Sequence, residues 1–183
     1  HKAIRRQRQM CIRDSRRAIS LDESARLVAG VFSRNAEKSK KMGEVLHIEE
    51  ERCYKDYETM ALEEAKREDG IDFVVVVTPN ASHYEICKAF LNAGIHVVCD
   101  KPVTTTYEKA VELQKLAEEK SLLFMVTYTY MGHVTAKYAR DLIAFGAIGD
   151  VRAVMAEYPQ GWLAFEDNVG GKQGEWRCDP AQS

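Results

Sequence analysis

Lys101, set between an acidic residue and a proline in CDKP (Cys99–Pro102), is the group in this sequence best suited to moving a proton. Pro102 fixes its own φ and restricts Lys101, and the preceding run IHVVC (95–99) is apolar. A lysine held at the mouth of an apolar crevice has its pKa lowered towards the operating pH, which suits proton transfer to or from a substrate hydroxyl. A solvated lysine in an ordinary turn would read the same way. Two other apolar runs end in polar residues: FSRN (32–35), with Ser33 and Arg34, and TPNASH (78–83), with Thr78, Pro79, Asn80 and His83. Thr78 and Asn80 are able to cap a following helix with no ligand present, and His83 reads equally as a packing or capping histidine. No second histidine stands at metal-ligand spacing, and the sequence holds no zinc motif, GxSxG, P-loop or nucleophile triad.

These residues stand at junctions between strand and helix patterns. RLVAGVF (26–32) reads as a strand, followed by helices over 35–46, capped by Asn35 or Ser33, and over 56–68, closed by Gly70. IDFVVVV (71–77) is a continuous β-branched run, the pattern of a strand buried on both faces of a parallel sheet. A helix over 80–94 with Ile86, Phe90 and Ala93 on one face ends at Gly94, ahead of the 95–99 strand. A helix over 106–120 turns Ala110, Leu113 and Ala117 inwards, and the strand LLFMVT (122–127) follows. A helix around 134–145 stops at Gly146, and VRAVMAEY (151–158) reads as one more strand. This alternation predicts an α/β fold, a doubly wound parallel sheet whose ligands bind at the carboxyl ends of the strands.

Composition bounds the function. The chain has 183 residues, is 45% apolar and balances 26 basic against 28 acidic side chains, so no uniform field draws nucleic acid or anionic lipid. No apolar run approaches the roughly 20 residues that cross a bilayer. Five cysteines without CxxC spacing read as reduced thiols in a cytoplasm. The expected partners therefore include no nucleic acid, no membrane and no metal.

The joint order of these motifs is more specific than any one of them. VVVVTPNASHYEICKAFLNAGIHVVCDKP (74–102), then a helix, LLFMVT, the turn GAIGDV and a new strand, closely resembles the glucose-fructose oxidoreductase, inositol dehydrogenase and rhizopine catabolism (Gfo/Idh/MocA) family. The resemblance runs from about Arg16 to Ser183. It implies an NAD(P)-dependent dehydrogenase acting on a sugar or cyclitol hydroxyl, with a Rossmann domain and a largely antiparallel substrate domain through which the intact protein forms homo-oligomers. Asp100-Lys101-Pro102 would match the family's Glu-Lys-Pro signature, often with a cis Lys-Pro bond, and Lys101 would meet the substrate hydroxyl as the catalytic group. Thr78, Pro79, Asn80, His83, Asp100 and Pro102 would line the cofactor site. Where NAD enzymes carry an acidic residue after the second strand, this chain has Ser33 and Arg34, which suits a 2′-phosphate and favours NADP over NAD. In TYTYMGH (127–133), Thr129 replaces a family Asn while Tyr130 keeps an aromatic hydroxyl near the substrate. Trp176 and Arg177 fall in a stretch that resembles the start of the substrate domain, where Trp162 and Trp176 are equally readable as core. A non-catalytic nucleotide sensor on the same scaffold is the alternative reading.

The resemblance also implies a first strand and a Gly-rich turn before Arg16, yet no glycine precedes Gly30. Back-translated, QMCIRDS (9–15) reproduces the transposon-end adaptor used to prepare sequencing libraries, so residues 1–15 are expected to be non-native. On this reading 16–148 is the Rossmann domain without its first strand, and 149–183 begins the substrate domain. The family's Gly-rich segment with its Asp and His would follow Ser183, so the chain as it stands is expected to show little or no activity.

Overall fold

Valine-rich runs resist helix and pack well on a pleated sheet, and two of them pair here. The structure, a computed structural model, describes residues 2–21, 23–159 and 161. Strand β1 (Phe73–Val76) lies parallel to β2 (His96–Cys99), with Val74 opposite Val97 and Val76 opposite Cys99, and β2 lies parallel to β3 (Phe124–Val126). Helix α4 (His83–Asn92) makes the crossover from β1 to β2 and α5 (Tyr107–Glu119) that from β2 to β3. The architecture is the expected α/β fold, a parallel sheet flanked by helices.

The core lies between the sheet and α4. Val74, Val76, Val97 and Cys99 are buried, with Phe90, Leu91 and Leu113 against them. Burying one such aliphatic or aromatic side chain contributes about 1.5–3 kcal/mol. Phe73, Val75, His96 and Val98 on the alternate positions are only half-buried, so the valine run is not sealed on both faces as its composition suggests. Gly94 turns the chain from α4 into β2 at φ +83°, a conformation that costs a residue with a Cβ. A ring of contacts fixes α4 to α5: the Tyr84 hydroxyl donates to Glu112 at 2.6 Å and Lys88 reaches the same carboxylate at 2.5 Å.

The amino-terminal half departs from the expected pattern. Helix α1 (Lys2–Ile19) runs through 9–15 and includes Arg16 and Arg17 in its last turn. The predicted strand 26–32 forms a single bridge, Gly30 to Cys53, rather than a ladder. It and 71–77 line the same cavity of about 1200 Å³, and β1 pairs with β2 alone, so neither edge satisfies the other. Helix α2 (Ala36–Val45) follows, with Asn35 as its cap, accepting from the Lys38 N–H at 3.0 Å. Gly43 inside α2 is required by contact, because an added Cβ would overlap Cys53 Sγ.

Helix α3 (Tyr57–Glu64) stops four residues short of the predicted end. Its last residue turns inwards: Glu64 takes two bonds from the Arg52 guanidinium, at 3.0 and 2.5 Å, and one from the Tyr54 hydroxyl at 2.8 Å. Arg52 also reaches Asp69, at 3.3 Å to its carboxylate and 3.2 Å to its carbonyl. Arg52 is 5% exposed and Glu64 2%, so this pair is buried and satisfied by hydrogen bonds.

The chain divides into two compact units, His1–Val126 and Thr127–Ser183, ahead of the boundary expected near 148. In the second, α6 (Val134–Ala144) ends at Gly146 as predicted, but 151–158 is not a strand. Its residues are exposed and no neighbouring strand among the described residues offers a ladder, without which an alternating run has nothing to pair with.

Removing one partner of a buried ion pair costs about 3–5 kcal/mol. Glu64→Ala is therefore expected to lower the urea midpoint strongly, whereas Lys40→Ala, which breaks the exposed Lys40–Glu50 pair, leaves it unchanged within error. Equal effects of the two in a urea titration would mean the Arg52–Glu64 pair holds nothing together.

Candidate cofactor site

The carboxyl ends of β1 and β2 point the same way because the strands are parallel, so the loops that follow them are neighbours. After β1, Thr78 and Pro79 lead into a short 3-10 turn, Asn80–Ser82, and then α4. Neither Thr78 nor Asn80 caps that helix. The Ser82 hydroxyl donates to the Pro79 carbonyl at 2.7 Å and lies 2.9 Å from Thr78 Oγ1, which ties the loop to the start of the helix. The Asn80 side chain makes no hydrogen bond among the described residues.

After β2, the Asp100 N–H donates to the Val76 carbonyl at 2.8 Å, continuing the β1–β2 ladder by one bond. The Asp100 carboxylate then accepts from the Lys101 N–H at 2.9 Å, and the Lys101-Pro102 peptide bond is cis. Lys101 itself is exposed. Thr106 caps α5 through the Lys109 N–H, and Thr104 Oγ1 donates to the Thr106 carbonyl at 2.6 Å.

His83 joins the two loops. It is 1% exposed, with Nδ1 2.7 Å from the Pro102 carbonyl and Nε2 2.9 Å from the Thr78 carbonyl. Both ring nitrogens are therefore engaged, and the residue expected to line the cofactor site acts through the backbone on either side instead. Burial opposes charge on this ring, but hydrogen bonding to Cys99 and to the two carbonyls outweighs it and pushes its pKa up to about 9.

Ser33 and Arg34 follow the 26–32 segment at the polar end of the large cavity, which Thr78, Pro79 and Ser82 also line. The Ser33 hydroxyl accepts from the Asn35 N–H at 3.1 Å, while Arg34 is exposed and forms no ion pair among the described residues. Arg16 of α1 stacks over the Phe32 ring, 5.6 Å from its centroid, on the way to this junction. Burial, and then a hydrogen bond to Asp100, push the Cys11 thiol of α1 up to about 11.

Tyr130 belongs to the second unit, in a 3-10 turn over Thr129–Gly132, where its exposed hydroxyl bonds that of Tyr158. Trp162, Trp176 and Arg177 lie outside the described residues. Among the described residues no cluster of His, Cys, Asp and Glu is able to hold a metal ion, and no helix is long and apolar enough to cross a membrane. The bonding of His83 and the Thr78–Ser82 hydroxyl pair are not legible in the sequence. The only trace of them is the position of Ser82 and His83, two and three residues after Asn80.

A parallel α/β sheet with its polar residues gathered at the strand ends is a scaffold of nucleotide-binding proteins. The comparisons agree: residues 9–128 match the model of the Gfo/Idh/MocA oxidoreductase family with its NAD-binding Rossmann fold, and the chain belongs to that family. It is 45% identical over 157 residues to the uncharacterized oxidoreductase YfiI of Bacillus subtilis, covering 85% of this chain and 40% of that protein. It is 34% identical over 97 residues to the B. subtilis scyllo-inositol 2-dehydrogenase (NADP(+)) IolW, covering 53% and 27%. An inositol dehydrogenase homolog from Azotobacter vinelandii, solved with NAD+, superposes with a TM-score of 0.79 at 38% identity, covering 91% of this chain and 43% of that one. The chain thus spans less than half the length of these relatives.

The thiols report whether the two loops stay closed. Cys87 and Cys99 have no exposed surface, and a hydrogen bond of the Cys99 thiol to Cys87, then burial, push that thiol well above its usual range. Iodoacetamide at pH 8 is expected to leave both unmodified in the folded chain under conditions that label the urea-unfolded chain completely. Peptide mapping that finds Cys99 alkylated in the folded chain would show that this edge opens.

Proposed function

We propose that the chain is the cofactor-holding part of a dehydrogenase that moves hydride between a sugar or cyclitol hydroxyl carbon and nicotinamide, with NADP preferred to NAD. The observation that carries this reading is the meeting of the Thr78–Asn80 and Asp100–Pro102 loops at one edge of the parallel sheet, where His83 bonds both. The cavity beside the first loop supports this reading through its lining, which joins the apolar residues of 27–32 and 73–77 to the hydroxyls of Ser33, Thr78 and Ser82 and to Arg34. When bound there, nicotinamide supplies the hydride acceptor.

Ser33 and Arg34 would bind the ribose end, the guanidinium recognising a 2′-phosphate through its planar array of donors. Asn80, whose amide has no partner among the described residues, would take the ribose or amide nearer the nicotinamide. Lys101 would accept the proton that leaves the substrate hydroxyl during oxidation, with its backbone held by Asp100 and Pro102. Tyr130, Trp176 and Arg177 are the substrate-side candidates. The related scyllo-inositol 2-dehydrogenase names NADP+ and the Azotobacter homologue holds NAD+, which supports the chemistry and leaves the choice between the two to Arg34.

Binding is the direct readout for this chain. NADPH titrated by fluorescence is expected to bind more tightly than NADH. Arg34→Glu should weaken NADPH on the order of tenfold or more, the cost of one charged hydrogen bond, while leaving NADH unchanged. Lys101→Met should leave both affinities unchanged, since its role is in proton transfer. Equal affinities unaffected by Arg34→Glu would sink the NADP preference, and absence of binding by either dinucleotide would sink the cofactor-holding role.

A further inference from the structure

A neutral imidazole has one N–H and one bare lone pair, whereas an imidazolium has two donors. Both nitrogens of His83 face carbonyl oxygens, which only accept. A neutral ring would therefore bring a lone pair against an oxygen at 2.7 or 2.9 Å in a place with 1% exposure, where no solvent relieves the repulsion. We propose that His83 is a positioning residue held as an imidazolium at neutral pH, a charged clasp that locks the Thr78–Asn80 loop to the Asp100–Pro102 loop.

The surroundings fit a cation that is shared between loops rather than paired with an acid. Cys99 on β2 is the titratable group that acts on the ring, and its interaction favours the charged form. Asp100 and Lys101 stand two and one residues before the gripped Pro102 carbonyl, and the β1 loop brings only Thr78 and Pro79. The charge is thus favoured by Cys99 and by two carbonyl dipoles, one from each loop. Losing the proton removes a bond from one loop whichever nitrogen gives it up.

This links pH to the geometry of the site. The folded pKa near 9 lies above the ordinary 6.5, so the clasp contributes fully below about pH 6.5 and its contribution fades as pH rises through about 9. That the clasp serves a cofactor rests on the function proposed above; its charge and its grip on the loops do not.

The deciding experiment is NMR of the whole chain labelled with 15N in the histidine rings. At pH 7, His83 is expected to show two protonated nitrogens, which titrate near pH 9. A ring with one bare nitrogen at pH 7 overturns the proposal. His83→Gln, which is able to donate to only one carbonyl, should speed amide exchange at Ser82 and Asp100 on the order of tenfold. It should also remove the loss of thermal stability expected of the unmodified chain between pH 6.5 and 9. Unchanged exchange in a folded His83→Gln chain would likewise overturn the clasp, and if that variant does not fold, the ring spectrum of the unmodified chain decides alone. NADPH titration separates the two readings: a chain with a charged His83 that binds no dinucleotide keeps the clasp and loses the cofactor function.

Discussion

Two runs of valine, paired residue for residue, set the position of the two loops that His83 joins. Val74 opposite Val97 and Val76 opposite Cys99 bring the ends of β1 and β2 level. A slip of one residue would turn Val97 and Cys99 outwards and bury His96 and Val98. It would also carry Asp100 and Pro102 past Thr78, out of reach of one imidazole. The buried positions that enforce this register are small and close-packed, and the ladder bond from Asp100 to Val76 prolongs it to the first residue of the loop.

Given that register, two buried cations divide the work of the first unit. Arg52 holds the α3 end to the turn before β1 by pairing with Glu64 and Asp69, an arrangement in which opposite charges offset each other's desolvation. His83 lies on the other side of β1 in sequence, and its ring nitrogens meet one backbone carbonyl from each loop. The first fixes where β1 begins and the second where it delivers its loop. Between them lies a strand only four residues long, so the ends are held by polar contacts rather than by length.

Much of this fold is legible in the sequence because it follows from local rules. Helix caps at Asn35, Asp56 and Thr106 stand as their residue types require, Gly94 and Gly146 close helices, and the apolar faces of α4 and α5 are those their spacing indicates. What was not legible depends on neighbours distant in sequence. The 26–32 segment has strand composition but a single bridge, and 151–158 alternates correctly with no partner among the described residues, because a strand is a property of a pair. The inward turn of Glu64 shortens α3 for a partner twelve residues back. At the site, TPN and DKP were visible as polar residues after strands, while the bonding that unites them falls on a histidine whose sequence context is equally that of a core residue.

The clasp also bears on the proton-carrying role proposed for Lys101, whose side chain is exposed. A lysine on a free loop samples many orientations, and each rotamer-rich side chain loses entropy when substrate fixes it. Lys101 keeps a mobile side chain but has a fixed backbone: its N–H is on Asp100, the next carbonyl along is on His83, and the preceding residue is on β1. Three anchors within three residues leave only the lysine's own torsions to be settled on binding.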